Sequence, residues 1–141
     1  KEKEIDMIVD FFRKNNRCKD IVLYCCTSSY PCPTNETFLL EIKKMKKKYD
    51  GLIKDYGYSG HHEGIVLDNV AYAFGAKYIE RHFTLNKNLK GTDHSFSLVP
   101  KELKKLRDNI NDTYYSLKFK SNKMSNNEIK NRKKFDKKIT F

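Results

Sequence analysis

Residues 21–29 read IVLYCCTSS, and this stretch decides the fold class of the chain. Residues 21–26 are apolar or aromatic without interruption, and they include the β-branched and aromatic types that favour strands. A strand that is apolar on both faces is typical of a parallel sheet covered by helices. The stretch therefore predicts a parallel strand over residues 21–26, with a threonine and two serines directly after its carboxyl end.

Helical periodicity flanks this strand on both sides. Residues 4–14 carry apolar side chains at spacings of three and four, which predicts an amphipathic helix. After a loop with two prolines, a second helix is expected to begin at Thr34 or Asn35 and to end at Gly51. Its inner face is expected to be formed by apolar side chains at helical spacing, namely Phe38, Leu39, Ile42, Met45 and Tyr49.

The rest of the chain continues this alternation of helices and strands. Strands are predicted at residues 55–59 and 77–83, a helix at residues 65–74, and a last helix that begins at Pro100. The connection over residues 84–99 has a length that is usually functional. Three parallel strands that alternate with helices, at intervals of roughly 25 to 30 residues, are typical of an α/β fold.

Composition narrows the class of protein. The chain has 141 residues, a net charge of +11 and an apolar content of 38%, which suit one domain or part of one. No apolar run approaches the roughly 20 residues of a membrane-spanning helix, and no secretory signal is visible. The four cysteines do not suit a zinc cluster or a disulfide framework, so we expect buried reduced thiols in a cytoplasmic protein. Residues 120–141, rich in Lys and Asn, are expected to form a tail or linker.

Polar residues gather at the carboxyl ends of the predicted strands, where parallel α/β folds bind ligands. Because side chains alternate along a strand, His61 is expected to share the inner face of the sheet with Ser59. By the same rule His82 shares that face with Glu80, whereas Phe83 faces the outer helices. The strand ends therefore predict a site.

The spacing of these residues alone does not decide the chemistry of the site. Two imidazoles on neighbouring strands, about 4.8 Å apart, are able to share a metal ion, but core or surface roles fit them as well. The hydroxyls of Ser28 and Ser59 would suit a phosphate or belong to turns. Asp93 and His94, which follow Gly91 in the long loop, would close the site or stabilise a turn.

Four ordered motifs resemble those of the sialic acid synthase family. They are CTSSYP at residues 26–31, GYSGH at 57–61, GAKYIERHFTL at 75–85 and GTDHSFSL at 91–98. One such motif is weak evidence, but four in order over residues 18–117 are specific. Family members fold as a (β/α)8 TIM barrel that is followed by a small antifreeze-like domain.

The resemblance implies that the chain is part of a larger enzyme. Residues 1–119 would be the C-terminal part of the barrel, with its sixth, seventh and eighth strands, and residues 120–141 would lead toward the antifreeze-like domain. The remainder of the barrel would come from the same or another chain, and the full-length enzyme would be a homodimer. The family condenses phosphoenolpyruvate with N-acetylmannosamine, its 6-phosphate or a related amino sugar, and releases phosphate.

The family also implies a metal site. His61 and His82 would bind a divalent ion, Mn²⁺ or Mg²⁺, that polarises the sugar aldehyde. From strand alternation we add Glu80, which would tune these histidines or form an ion pair with a lysine. His62 is unusual beside His61 in the family and is easily mistaken for a further ligand.

The same resemblance implies substrate contacts. Ser28 and Ser59 would hold the phosphate of phosphoenolpyruvate, and Tyr30 and Asp93 would contact the amino sugar. Gly60 stands where many bacterial members carry aspartate. Glycine at this place is found in a subgroup that includes animal enzymes acting on the 6-phosphate. The residues do not decide which sugar is used.

Two other functions remain as alternatives. The lysine-rich helices and tail would suit a basic, non-catalytic module for nucleic acid or acidic partners, although no nucleic-acid motif is visible. The chain would otherwise be an inactive remnant of a synthase. Because three parallel strands leave two open edges, we expect the isolated chain to aggregate or to need partner chains.

Overall fold

Three parallel strands form one sheet in the computed structural model, which describes residues 2–135. Strand β1 spans Val22–Cys26, β2 spans Asp55–Gly60 and β3 spans Tyr78–Arg81, and they lie side by side in this order. Helices connect the strands, as the sequence predicts. The expected fold class is confirmed: the strands and helices alternate as in part of a (β/α)8 barrel.

Five α-helices accompany the sheet within the described residues. They are α1 (Glu2–Lys14), α2 (Leu40–Tyr49), α3 (Val66–Ala73), α4 (Pro100–Ser116) and α5 (Asn126–Phe135). Short 3₁₀ turns precede β1 at Cys18–Asp20 and precede α2 at Thr34–Glu36. None of the helices in residues 2–135 is long and apolar enough to span a bilayer.

The hydrophobic core lies between one face of the sheet and the helices. Side chains alternate along the strands, so every second residue of β1, β2 and β3 points toward the helix layer. The cluster consists chiefly of Cys25, Tyr56 and Tyr58 from the strands, with Val9, Ile42, Met45, Tyr49 and Ala71 from the helices. Burial of each large side chain stabilises the fold by about 1.5–3 kcal/mol. The opposite face carries the functional side chains described below.

The second helix begins later than the sequence predicts. The segment after Pro33 forms the 3₁₀ turn, and Phe38 then takes a left-handed backbone conformation with φ of 47°. A left-handed residue cannot belong to an α-helix, so α2 begins only at Leu40. Phe38 is 62% exposed, and its expected place on the inner face is wrong, whereas the other four predicted residues pack on the core.

The third strand ends earlier than predicted because the chain turns to pair with a later segment. The Leu98 N–H donates to the His82 carbonyl at 2.8 Å, and the Thr84 N–H donates to the Leu98 carbonyl at 3.0 Å. This pairing brings residues 84–99 back to β3. Phe83 is 52% exposed there, so the helices of the described residues do not cover it as expected.

Ionic and hydrogen-bonding contacts fasten α1 to α2. Asp6 accepts a hydrogen bond from the Tyr49 hydroxyl at 2.7 Å and lies 2.6 Å from the Lys48 ammonium group. Lys48 also donates to Glu2 at 2.9 Å. The hydrogen bonds from Lys48 and Tyr49 hold the pKa of the Asp6 carboxyl below its ordinary value.

All four cysteines are free thiols, as expected, but they are not all buried. Cys18, Cys25 and Cys32 are buried, whereas Cys26 is exposed on the face of β1 that turns away from the helices. Burial raises the pKa of the Cys25 thiol to about 11, so this thiol is not reactive at neutral pH.

The segment predicted as a tail contains an additional helix. Helix α5 lies within residues 120–141, and it has no buried residue among those that the structure describes. A helix without a buried face contributes little to the core. The last part of the predicted tail, residues 136–141, lies outside the described residues.

Candidate functional site

The ends of β2 and β3 bring two histidines together. His61 follows β2 and His82 follows β3, and their ring centroids lie 5.3 Å apart at an interplanar angle of 69°. The ring of Tyr30, from the loop after β1, lies 4.5 Å from the His61 ring and 6.2 Å from the His82 ring. Three successive strand ends thus supply one cluster of rings.

Backbone groups of the β1 loop fix the orientation of His61. Its Nδ1 lies 3.0 Å from the Thr27 carbonyl oxygen, and its own carbonyl accepts a hydrogen bond from the Cys32 N–H at 2.9 Å. Because a carbonyl oxygen only accepts, Nδ1 of His61 carries a hydrogen, and in the neutral ring Nε2 is then the nitrogen with the lone pair. A histidine held in this way is prepared to bind a cation through Nε2.

His82 is held by the long loop that follows it. Its carbonyl oxygen accepts the Leu98 N–H, as described above, and its Nδ1 lies 3.6 Å from the Asp93 carboxylate. The Ser97 hydroxyl donates to the Asp93 carbonyl at 2.6 Å, which stabilises the turn at this point of the loop. The structure therefore places Asp93 at the rim of the site, beside His82.

Phe96 is a residue of this cluster that the sequence analysis did not single out. Its side chain is only 1% exposed, and its ring lies 5.2 Å from His82 and 6.4 Å from His61. It also lies 6.2 Å from the Tyr30 ring. The aromatic residue in the mostly polar stretch GTDHSFSL is a signal that could have identified it.

Ser59 and Glu80 lie on the same inner face, below the histidines. They are opposite each other in the sheet register, and the Ser59 hydroxyl donates to the Glu80 carboxylate at 2.7 Å. Of the two partners considered for Glu80, the structure shows neither, since within the described residues it pairs with a serine rather than with a histidine or a lysine. Ser28 lies exposed after β1, and Tyr30 is 51% exposed.

The separation of the two imidazole rings permits one shared ion. An imidazole nitrogen binds a metal at about 2.1 Å, so two coordinating rings can have centroids up to about 6.4 Å apart. The observed 5.3 Å lies within this limit. Residues 2–135 contain no cluster of three or more His, Cys, Asp or Glu side chains that could hold a metal. An ion between these rings would keep several positions for water or substrate, as Mg²⁺ usually does.

The other two histidines have structural surroundings. His62 is buried in the helix layer, where its Nδ1 and the Tyr58 hydroxyl oxygen lie within hydrogen-bond distance, at 3.1 Å. Burial, assisted by the positive charge of Arg81, lowers the pKa of His62 to about 4 and keeps the ring neutral. His94 lies 2.8 Å from the Thr84 hydroxyl, within the long loop. His62 points away from the ring cluster and is not placed to join His61 as a ligand.

Known proteins match this chain consistently. A model described as the NeuB family matches residues 1–122. The chain is 40% identical over 129 residues to N,N'-diacetyllegionaminic acid synthase of Campylobacter jejuni, with 91% of this chain and 38% of that protein covered. It is 46% identical over 81 residues to human N-acetylneuraminate-9-phosphate synthase, with 57% of this chain and 22% of that protein covered.

A solved structure agrees with these matches. The crystal structure of N-acetylneuraminic acid synthetase from Leptospira borgpetersenii superposes with a TM-score of 0.78 and 32% identity. The superposition covers 98% of this chain and 48% of that one. The chain thus spans less than half the length of each of these three proteins.

Proposed function

The chain belongs to the NeuB family, and on that premise we propose that it forms the C-terminal part of the barrel of a phosphoenolpyruvate-dependent sugar-acid synthase. The complete enzyme would join phosphoenolpyruvate to N-acetylmannosamine, its 6-phosphate or a related amino sugar and release phosphate. The approach of His61 and His82 at neighbouring strand ends is the observation that carries the proposal. The names of the relatives, which are synthases of sugar acids, support it.

In this proposal His61 and His82 hold a divalent cation, Mn²⁺ or Mg²⁺. The ion would supply a positive charge that polarises the aldehyde of the sugar toward attack. Each ring is held by its backbone, and the Thr27 carbonyl leaves Nε2 of His61 available. The buried ring of Phe96 lies near both imidazoles and would give one side of the site an apolar surface.

The phosphate of phosphoenolpyruvate would be held at Ser28 and Ser59. The Ser28 side chain is exposed at the end of β1 and is accessible to a ligand. Ser59 has one hydroxyl hydrogen, which it donates to Glu80, so it would bind a phosphate oxygen only by releasing that carboxylate. Glu80 would therefore orient Ser59 before the substrate arrives.

The amino sugar would be bound at the rim of the site by Tyr30 and Asp93. The exposed phenol of Tyr30 lies over His61, and the Asp93 carboxylate lies beside His82. These groups offer a hydroxyl and two carboxylate oxygens for the polar substituents of a sugar. Their position next to the imidazoles would bring the sugar aldehyde close to the cation.

The rest of the synthase would come from outside the described residues. The remaining strands would cover the inner face of the sheet, either in the same chain or in another, and the complete enzyme would be a homodimer. Residues 120–141 would connect the barrel part, residues 1–119, to an antifreeze-like domain. The alternative of a basic binding module has weaker support, because Lys44 and Lys48 of α2 are paired with carboxylates of α1.

The test is phosphate release from phosphoenolpyruvate in the presence of N-acetylmannosamine, its 6-phosphate and related N-acyl sugars. The chain would be assayed alone and together with the N-terminal half of a NeuB-family barrel, with Mn²⁺ or Mg²⁺ added. We expect release only in the complemented sample, and we expect His61→Ala and His82→Ala to abolish it. Absence of release with every sugar, in a sample shown to contain the assembled barrel, would refute the proposal.

A further inference from the structure

Arg81 links the two strand ends that carry the histidines. It is the last residue of β3, and its side chain is 2% exposed on the helix side of the sheet. Its guanidinium group donates to the His62 carbonyl at 2.7 Å and to the Gly64 carbonyl at 2.8 Å. Because Arg81 precedes His82 and His62 follows His61, one side chain connects the backbone next to each imidazole.

A buried carboxylate fixes the guanidinium in this position. Asp68 of α3 is 0% exposed, and its Oδ2 lies 2.5 Å from Nη1 of Arg81. The other oxygen, Oδ1, and Nε of Arg81 have no hydrogen-bond partner among the described residues. A buried ion pair that is incompletely satisfied is a poor source of stability compared with apolar residues of similar volume. The pair is better explained by a role in placing the backbone.

Gly60 shows how closely the turn fits against this pair. It lies opposite Arg81 in the sheet register. A Cβ at Gly60 would lie 2.8 Å from the Tyr58 ring, 3.0 Å from Cδ of Arg81 and 3.2 Å from Oδ1 of Asp68. The backbone that leads into His61 therefore rests directly on the ion pair.

We propose that Arg81 is a positioning residue for the two-histidine site, which sets the place of His61 relative to His82 by holding the turn at residues 62–64. The inference rests on the proposed function, since it concerns the same histidines. Arginine suits this task because its planar fork reaches two carbonyl oxygens and a carboxylate at once. Lysine would carry the same charge without this fixed geometry.

Two variants of the full chain test the role. Arg81→Lys keeps the charge opposite Asp68 but loses the fork, and the double variant Arg81→Met/Asp68→Leu removes the pair without leaving a buried charge. Arg107→Met/Asp108→Leu, which removes an exposed Arg–Asp pair of α4, is the matched control. Circular dichroism and the melting temperature would establish which variants are folded.

The first readout needs no metal. The Cys32 N–H is hydrogen-bonded to the His61 carbonyl, so its exchange with solvent reports whether the turn is held. We expect exchange at Cys32 to become at least about tenfold faster in either folded Arg81 variant, with the strand amides of β1 and β2 unchanged. The second readout is Mn²⁺ affinity, measured from the electron paramagnetic resonance signal of free Mn²⁺. We expect a loss of about 10–100-fold, as for other residues that orient metal ligands.

If folded Arg81→Lys exchanges the Cys32 amide at the same rate as the wild type, the inference is overturned. It is also overturned if this variant binds Mn²⁺ with the same affinity as the wild type. If the double variant does not fold, Arg81→Lys alone decides. If the wild-type chain binds no Mn²⁺, the metal role in the proposed function fails, and the exchange of Cys32 still decides whether Arg81 positions His61. The two failures are therefore distinguishable.

Discussion

The ring centroids of His61 and His82 lie 5.3 Å apart. Nδ1 of His61 is hydrogen-bonded to the Thr27 carbonyl, so Nε2 of His61 is the nitrogen available to a ligand. If these rings share an ion, either His61→Ala or His82→Ala removes one of its two protein ligands. We expect Mn²⁺ affinity to fall by at least about tenfold in each variant. Titration of free Mn²⁺ by electron paramagnetic resonance would measure it. Glu63→Ala, which removes an exposed carboxylate nearby, is the control, and equal affinity in all four proteins would contradict the shared site.

Close packing at Gly60 predicts a specific loss of stability. Gly60→Ala would force a methyl group against Tyr58, Arg81 and Asp68, none of which has free space to move into. Overpacking of this kind costs about 1–3 kcal/mol of unfolding free energy, measurable by urea titration. Gly57→Ala is the matched control, because the three atoms nearest to its methyl group all belong to the Tyr24 ring, which is 39% exposed and can rotate away. An equal or larger loss at Gly57 would show that the packing at Gly60 is not decisive.

The cysteines are expected to react with iodoacetamide in a fixed order at pH 8. Cys26 is exposed and would react first, whereas Cys25 is buried and has its pKa raised to about 11. Because the thiolate is the reactive form, Cys25 would stay unmodified in the folded chain. Mass spectrometry after timed quenching would follow the labelling, and a sample unfolded in urea is the control. Equal rates for the two residues in the folded chain would be inconsistent with this structure.

Stability should depend on pH through the contact between α1 and α2. The pKa of Asp6 is lower in the folded chain than its ordinary value of 3.8, because Lys48 and Tyr49 hydrogen-bond to the carboxylate. The stabilisation is therefore complete above pH 3.8 and is lost as the pH falls below that value. Asp6→Asn should lower the melting temperature at pH 7, with a difference from wild type that shrinks toward pH 3. Asp10→Asn, whose carboxylate pairs only within α1, should not show this pattern.

The open sheet predicts self-association of the isolated chain. Strands β1 and β3 are the outer strands, and the face opposite the helices exposes aromatic residues such as Tyr24 and Tyr78. Unpaired strand edges beside exposed apolar surface favour pairing with further copies. Sedimentation velocity should show species larger than a monomer that increase with concentration. Addition of an N-terminal half-barrel should convert them into one defined complex, and a monomer at all concentrations would speak against open edges.

Much of the fold follows from local patterns in the sequence. The apolar run at residues 21–26 and the helical spacing after it were sufficient for the order of strands and helices, because burial against two layers imposes those patterns. The start of α2 was not predictable, since the helical spacing of the apolar residues gives no sign of the left-handed backbone at Phe38, after the 3₁₀ turn. The exposure of Phe83 was not predictable either, because it depends on pairing with Leu98 across a long loop.

In the candidate site, too, local patterns predicted some features, whereas others depend on residues from distant segments. Alternation along β2 and β3 was enough to expect His61 and His82 on one face, while their roles stay predictions. The network of Arg81, Asp68 and His62 escaped notice because its members come from three different segments. One signal was available: an acidic residue, Asp68, stands on the same helix face as the buried Ala71. Such a residue needs a buried cation, which strand alternation would place at Arg81.

The return of the long loop to β3 through Leu98 has a consequence for ligand association. Backbone hydrogen bonds join the two ends of the loop. The entropic cost of closing the loop therefore arises when the chain folds, and it does not arise again when a ligand binds. Asp93 and Phe96 are then already in place before any ligand arrives, and a sugar would not have to order them. Association at this rim should accordingly be a single fast phase, without a slow step in which a flap closes over the bound molecule.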